Sequence, residues 1–189
     1  WSKLRIIMKN IYTALAAILL GIGALSAQDI FMVDSSYVHF FSEATLENIE
    51  AENNKAKGLI NRANSKVAFL IPIKSFEFDK ALMKEHFNEN YMESEKFKTA
   101  TFKGQINEKI NWKKEGSYNV TVTGIINVHG VEKSRTIKGK LMVKESRIRV
   151  QTKFELKLVD HNIEIPTVVF QNIAEEIDVT VDLQFSPKK

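Results

Sequence analysis

The feature that most constrains the fold is a strict alternation of apolar and polar residues that recurs along the chain after Phe31. It is clearest over 147–158, where the even-numbered positions are apolar or Thr and the odd-numbered positions are polar or charged. The same period of two recurs over 177–185 and over 67–73. Because successive side chains of a strand point to opposite faces, the pattern predicts half-buried strands with one dry face and one wet face.

Turn-forming residues such as Asn53–Asn54 and His129–Gly130 separate further candidate strands. These are predicted over 36–42, 46–52, 56–61, 99–107, 117–128 and 134–144. Strands at this spacing are typical of a sandwich or a barrel. Closing a sheet of roughly eight such strands on itself leaves no exposed edge, so the sequence favours an all-β, antiparallel β-barrel in one domain.

One segment, 79–92, breaks the alternation and predicts a short amphipathic helix in a connection between strands. Asp79 is suited to the N-cap position. Leu82, Met83, His86, Phe87 and Tyr91 fall on one helical stripe. A helix with such an apolar stripe is expected to cover one mouth of the barrel as a lid.

Four predicted strands carry a glycine at the centre of the apolar face, namely Gly58, Gly104, Gly124 and Gly139. Glycine weakens a strand, and its presence usually marks a bend, a bulge or a close approach by a ligand or another backbone. One interpretation is that these glycines let the sheet coil into a barrel. Another is that they leave the lumen underfilled, with room for a small ligand. The two interpretations are compatible.

An apolar lumen closed by the helix is the predicted ligand site. The residues expected to line the lumen are Phe69, Ile71, Phe102, Val122, Ile126, Leu141, Val150, Phe154, Val179 and Val181. The residues expected around the lid are Phe76, Phe78, Leu82, Met83, Phe87 and Tyr91. A surface rich in Met and Phe adapts to a flexible apolar guest. The alternative is an ordinary satellite core beneath the helix.

The N-terminal region predicts export. From Met8 a basic residue, Lys9, precedes an uncharged apolar run over 11–25 that ends in small residues, which is typical of a secretory signal peptide. Residues 1–27 are therefore interpreted as upstream residues plus a signal peptide, and 28–189 as a single periplasmic or secreted domain. A retained membrane anchor is the alternative, although the run is shorter than the ~20 apolar residues of a spanning helix.

Charge and residue types exclude several functions. Removal of 1–27 takes away three of the 27 basic residues and none of the 23 acidic ones, so the remaining domain is nearly neutral and lacks the basic surface that binds nucleic acid. The chain has no cysteine, and its four histidines lack the close spacing of metal ligands. Asp160–His161 is interpreted as a solvated turn, since no Gly-x-Ser-x-Gly motif accompanies it. No enzyme activity, metal or cofactor is predicted.

Several segments in order resemble one family. They are Val33–Ser36 with Val38-x-Phe40, Ile73-x-x-Phe76-x-Phe78, the stretch 82–97, Ala100–Gly104, and 123–133 with its His129-Gly130-Val131 turn. Together they resemble the YceI-like family over nearly the whole of 28–189. The resemblance implies an extended lipocalin-like antiparallel barrel, exported in bacteria, whose lumen binds a polyisoprenoid or a similar long-chain lipid.

The expected function is lipid transport or storage without catalysis, with at most transient membrane contact. Each CH₂ group moved from water into an apolar lumen contributes ~0.8 kcal/mol, so a long chain needs a dry cavity. One alternative is a filled barrel that acts as a stress or protein-interaction module. Another is a hydrolase that uses His39, His86 or His161.

Overall fold

The structure is a computed structural model that describes residues 29–43, 48–164 and 174–188. The predicted signal peptide and positions 46–47 of one predicted strand lie outside these residues. The strands are β1 (Ile30–Ser42), β2 (Ile49–Asn53), β3 (Lys57–Asn61), β4 (Lys66–Pro72), β5 (Thr99–Ile106), β6 (Gly116–Val128), β7 (Val131–Lys144), β8 (Arg147–Lys157) and β9 (Glu176–Pro187). The helical elements are a 3₁₀ turn (Ile73–Ser75), α1 (Ala81–His86), a π-helical turn (Phe87–Tyr91) and a second 3₁₀ turn (Val159–His161).

Antiparallel pairing closes the sheet into a barrel. From β3 to β9, each strand pairs with the next along the chain, and β1 then pairs with β9 over Phe31–Phe41. The other edge of β1 is shared, since Ile30–Met32 pair with β3 and Val38–Ser42 pair with β2. The result is an eight-stranded barrel with β2 as one extra strand. The predicted closed antiparallel β-barrel is therefore confirmed.

The inward side chains fill one end of the barrel completely. Phe31, Ile60, Leu141, Ile148 and Phe185 are each at most 2% exposed. Phe31 pairs with Ile60, and Ile148 pairs with Phe185, across neighbouring strands. Cross-strand pairs of this kind are the unit that stabilises a sheet. This packed end leaves any ligand space to the opposite end of the barrel.

The connection between β4 and β5 covers the opposite end. It contains the predicted helix, but α1 is only six residues long and is followed by the π-helical turn. The N–H of Met92 donates to the carbonyl oxygen of Phe87 at 2.9 Å, which is the i→i+5 bond of that turn. The predicted N-cap is wrong, because Lys80 still has extended backbone angles and occupies that position with no side-chain capping bond. Asp79 lies one residue too early to cap the helix.

Candidate functional site: an apolar cavity beneath the helical connection

A cavity of about 540 Å³ lies inside the barrel, between its packed end and the helical connection. Small-molecule sites usually have volumes of about 300–1,000 Å³. The walls come from β1, β2 and β4 to β9, and the cover comes from the first 3₁₀ turn, α1 and the π-helical turn. Most of the lining residues are aliphatic or aromatic. The cavity is therefore suited to an apolar guest.

Fourteen of the sixteen predicted site residues line this cavity. They are Phe69, Ile71, Phe76, Phe78, Met83, Phe87, Tyr91, Phe102, Val122, Ile126, Val150, Phe154, Val179 and Val181. The other two lie elsewhere. Leu82 is 61% exposed, because it is one residue before Met83 and so lies about 100° around the helix. Leu141 is 1% exposed and belongs to the packed end, where β7 and β8 are paired.

The structure adds lining residues that the sequence reasoning missed. Val38 and Phe40 on β1, and Ile177 on β9, could have been found by extending the alternation that already marked their strands. Ile163 could not, because it follows Asn162, whose left-handed backbone ends the second 3₁₀ turn. The alternation carries no information once the chain leaves a strand.

Phe87 fastens the helical connection to the barrel. Its ring centroid lies 5.4 Å from that of Phe40 on β1 in a stacked arrangement, 5.6 Å from Phe76 and 5.0 Å from Phe78. Aromatic pairs at such distances add about 0.5–1.5 kcal/mol each beyond the burial of their surface. This aromatic cluster therefore attaches the cover to β1, where Phe40 contacts all three rings of the connection.

Few polar side chains line the cavity; those among the described residues are Ser42, His86, Tyr91, Thr101, Lys138 and Thr152. Ser42 is buried, and its hydroxyl oxygen accepts a hydrogen bond from the N–H of Ala174 at 3.0 Å. Burial raises the pKa of the Tyr91 phenol, which favours its neutral form. His86 also lines the cavity, from the end of α1. Within the described residues, no three His, Asp or Glu side chains are grouped in a way that could hold a metal ion.

The His129–Gly130 turn joins the cover to the barrel rim at a second place. Both residues have positive φ, 52° and 76°, as a two-residue hairpin turn of the I′ kind requires. Nε2 of His129 lies 3.1 Å from a carboxylate oxygen of Glu93, just beyond the π-helical turn. Nδ1 of His129 lies 3.2 Å from the carbonyl oxygen of His161. The ring also packs against Phe97 at a centroid distance of 4.3 Å.

His161 is a structural residue in the same region. Its side chain is 1% exposed, and its Nδ1 lies 3.2 Å from the carbonyl oxygen of Val131 at the start of β7. The predicted solvated turn is therefore wrong for His161, which is buried, although its neighbour Asp160 is exposed. Burial lowers the pKa of His161, and hydrogen bonds with backbone groups of Val131 and Val128 partly oppose this effect.

The lowered pKa predicts a loss of stability in acid. In the unfolded chain His161 takes up a proton near its ordinary pKa of about 6.5, whereas in the fold it does so only at lower pH. The unfolded state therefore binds more protons below about pH 6.5, and the free energy of unfolding falls as the pH falls through that region. Denaturant unfolding across the pH range should show this fall, and His161→Gln should make it shallower. An unchanged slope in the variant would assign the acid sensitivity to other groups.

Three of the four strand glycines, Gly104, Gly124 and Gly139, mainly serve the close approach of backbones, whereas Gly58 lies closest to the ring of Phe69. Gly104 and Gly124 pair directly across β5 and β6. A Cβ atom on Gly124 would lie 2.3 Å from the carbonyl oxygen of Lys103, a distance that side chains do not tolerate. Of the four, only Gly139 borders the cavity. These contacts favour the interpretation that the glycines let the sheet coil.

None of the helices in the described part of the chain is long and apolar enough to cross a membrane.

Solved structures with the same fold come from several bacteria. A polyisoprenoid-binding domain from Saccharophagus degradans, implicated in plant cell wall breakdown, superposes with a TM-score of 0.75 at 16% identity, covering 85% of this chain and 99% of that one. BcnA from Burkholderia cenocepacia gives a TM-score of 0.67 at 16% identity, with coverages of 79% and 95%. The YceI protein of Campylobacter jejuni gives 0.59 at 14% identity, with coverages of 75% and 86%.

A search of curated proteins found no match to the sequence. The family model of the YceI-like domain, however, matches residues 31–185, which is most of the chain and all of the barrel apart from the first residue of β1 and the last two of β9. Together with the eight-stranded barrel and its helical cover, this match shows that the chain belongs to the YceI-like family.

Proposed function

We propose that this protein holds a polyisoprenoid or a similar long-chain apolar ligand in the barrel cavity, for transport or storage and without catalysis. The observation that carries the proposal is the apolar cavity of about 540 Å³ beneath the helical connection. Burying each CH₂ group of a chain there contributes ~0.8 kcal/mol. The similar domain from Saccharophagus degradans is described as polyisoprenoid-binding, which supports this ligand class.

The proposed setting is the periplasm or the extracellular space, reached with the signal peptide of residues 1–27. A carrier in that setting would contact membranes only to load and unload. The alternative of a filled barrel that acts through protein partners is less favoured, because a filled barrel would have side chains where this one has an empty apolar volume.

Mass spectrometry of solvent extracts tests the proposal directly. Protein purified without detergent from its own bacterium should release a long-chain lipid in a near-stoichiometric amount, and sequencing of its N-terminus should start near Gln28. The delipidated protein should take the same lipid up again. Failure to recover a lipid, together with failure of the delipidated protein to bind any long-chain probe, would overturn the proposal.

A further inference from the structure

The barrel wall is split between β7 and β8 next to the cavity. The two strands pair only over Lys140–Lys144 and Arg147–Gln151, five residues on each side. β7 continues to Val131 and β8 continues to Lys157, yet these described stretches share no ladder pairs. By contrast, β8 pairs with β9 over Ile148–Lys157, which is all of the strand except its first residue. The gap therefore lies on the β7 side of β8 and not on its β9 side.

Side chains span the split at its two ends. At the inner end, the hydroxyl of Thr152 donates to the carbonyl oxygen of Lys138 at 2.6 Å, in the place of the next ladder bond. At the rim, Nδ1 of His161 lies against the carbonyl oxygen of Val131 at 3.2 Å. Between these contacts the cavity reaches the split, since Ile137 and Lys138 on one side and Thr152 and Phe154 on the other all line it.

The β7 side of the split carries cations at positions where an apolar residue would be expected. Arg135 pairs with Gly124, which alternates with the cavity-lining Val122 and Ile126, so Arg135 lies on the inward face of β7. Its guanidinium carbon is 5.6 Å from the ring centroid of Phe154, a cation–π contact. Lys133 is on the same face of β7, two residues away.

These cations have no acidic partner among the described residues. No carboxylate lies within ion-pair distance of Lys133, Arg135 or Lys138 there, whereas the lysines of β8 are occupied. Lys153 pairs with Asp178 at 2.9 Å, and Lys157 pairs with Glu176 at 2.8 Å. A half-buried guanidinium beside an apolar cavity is costly without a counter-charge. The described residues therefore leave the cations of the split without a counter-charge, which a bound anion would supply.

We propose that the β7–β8 split is a head-group site, at which Arg135, with Lys133 on the same face of β7, binds the carboxylate or phosphate of an anionic amphiphile whose apolar chain lies in the cavity. This inference rests on the proposed apolar-ligand function and adds the class of head group. The planar guanidinium presents donors in a fork that matches both of these anions, and its contact with Phe154 holds it in place. The ligand then lies with its charged end in the wall of the barrel and not beneath the helical connection.

Three ligands with the same chain and different head groups test the site: oleate, oleyl phosphate and oleyl alcohol. Each displaces a fluorescent fatty acid from delipidated protein at low salt and mildly alkaline pH. The wild-type protein should bind one or both anions about tenfold more tightly than the alcohol, as expected for a charge-assisted contact. The larger of the two preferences identifies the natural head group as carboxylate or phosphate.

Arg135→Gln should abolish this preference and leave the affinity for oleyl alcohol within about twofold of wild type. Arg147→Gln is the matched control, because Arg147 is an exposed cation at the paired end of β8. Arg135→Glu should reverse the preference, so that oleylamine binds better than oleate. Circular dichroism of each variant would establish that the barrel is intact.

The results separate the two proposals. If the wild-type protein binds none of the three ligands, the proposed apolar-ligand function is itself wrong. If it binds all three equally, or if Arg135→Gln keeps the preference for anions, only the head-group site is wrong. The head-group site would also be wrong if Arg135→Gln lowered the affinity for oleyl alcohol as much as the affinity for oleate. Arg135 would then only shape the cavity.

Discussion

Phe87→Glu is expected to release bound lipid at least about tenfold faster than wild type while leaving the barrel folded. The ring of Phe87 stacks on Phe40 of β1 and also contacts Phe76 and Phe78 of its own connection, so it ties the helical part of the cover to the aromatic cluster. Phe87 is half-buried, so removing its ring costs less than the about 3–5 kcal/mol of a fully buried Phe, and a carboxylate in its place would have to reach water. The eight barrel strands pair with one another, and this segment pairs with the extra strand β2 through Glu77 and Glu52, so the cost falls mainly on closure of the cover. Stopped-flow release of a fluorescent lipid measures the rate.

Leu82→Glu is the matched control, because it adds the same charge to the same helical connection at a side chain that is 61% exposed. Its release rate should equal that of wild type, and the far-UV circular dichroism of both variants should keep the strand signal. Equal release from Phe87→Glu and Leu82→Glu would mean that this helical connection does not limit the exit of the ligand.

The difference between Phe87 and Leu82 also shows how far the sequence determines the site. The apolar stripe of 79–92 correctly predicted a helix that covers the cavity, but a stripe that included both Leu82 and Met83 was too wide to fix the rotation of the helix. Only Met83 lines the cavity. The π-helical turn after His86 then keeps Phe87 inward. The apolar pattern of the sequence does not predict this local backbone geometry.

Alternation predicted the barrel strands well for a simple reason. In a barrel, every strand has one face toward the interior, so a period of two is imposed along almost the whole length of each strand. The same reasoning does not say which strands are paired at which residues. The split between β7 and β8 therefore could not be predicted, although the charged Lys133 and Arg135 at inward positions of β7 were a visible departure from the pattern.

The last prediction concerns the volume of the cavity. Val181 lines the cavity from β9, with Val38 and Thr152 as its partners on the neighbouring strands. In Val181→Trp the larger side chain should project into the empty volume and displace at least two methylene groups of a bound chain. At ~0.8 kcal/mol for each CH₂ group, the affinity for oleyl alcohol should fall about tenfold or more. Titration of the delipidated variant measures this loss.

Although Val181→Trp should lower the affinity for the ligand, it should not lower the stability of the protein. This difference distinguishes a ligand cavity from a packing defect. A larger residue in a filled core costs about 1–3 kcal/mol, but in an empty cavity it gains contacts and leaves the thermal midpoint unchanged or higher. Thr180→Trp is the matched control, since Thr180 neighbours Val181 on the same strand and is not among the residues that line the cavity. It should leave the affinity unchanged. If Val181→Trp binds the alcohol as well as wild type does, the chain of the ligand does not lie in this cavity. If Val181→Trp unfolds the protein while Thr180→Trp does not, the space around Val181 is already filled.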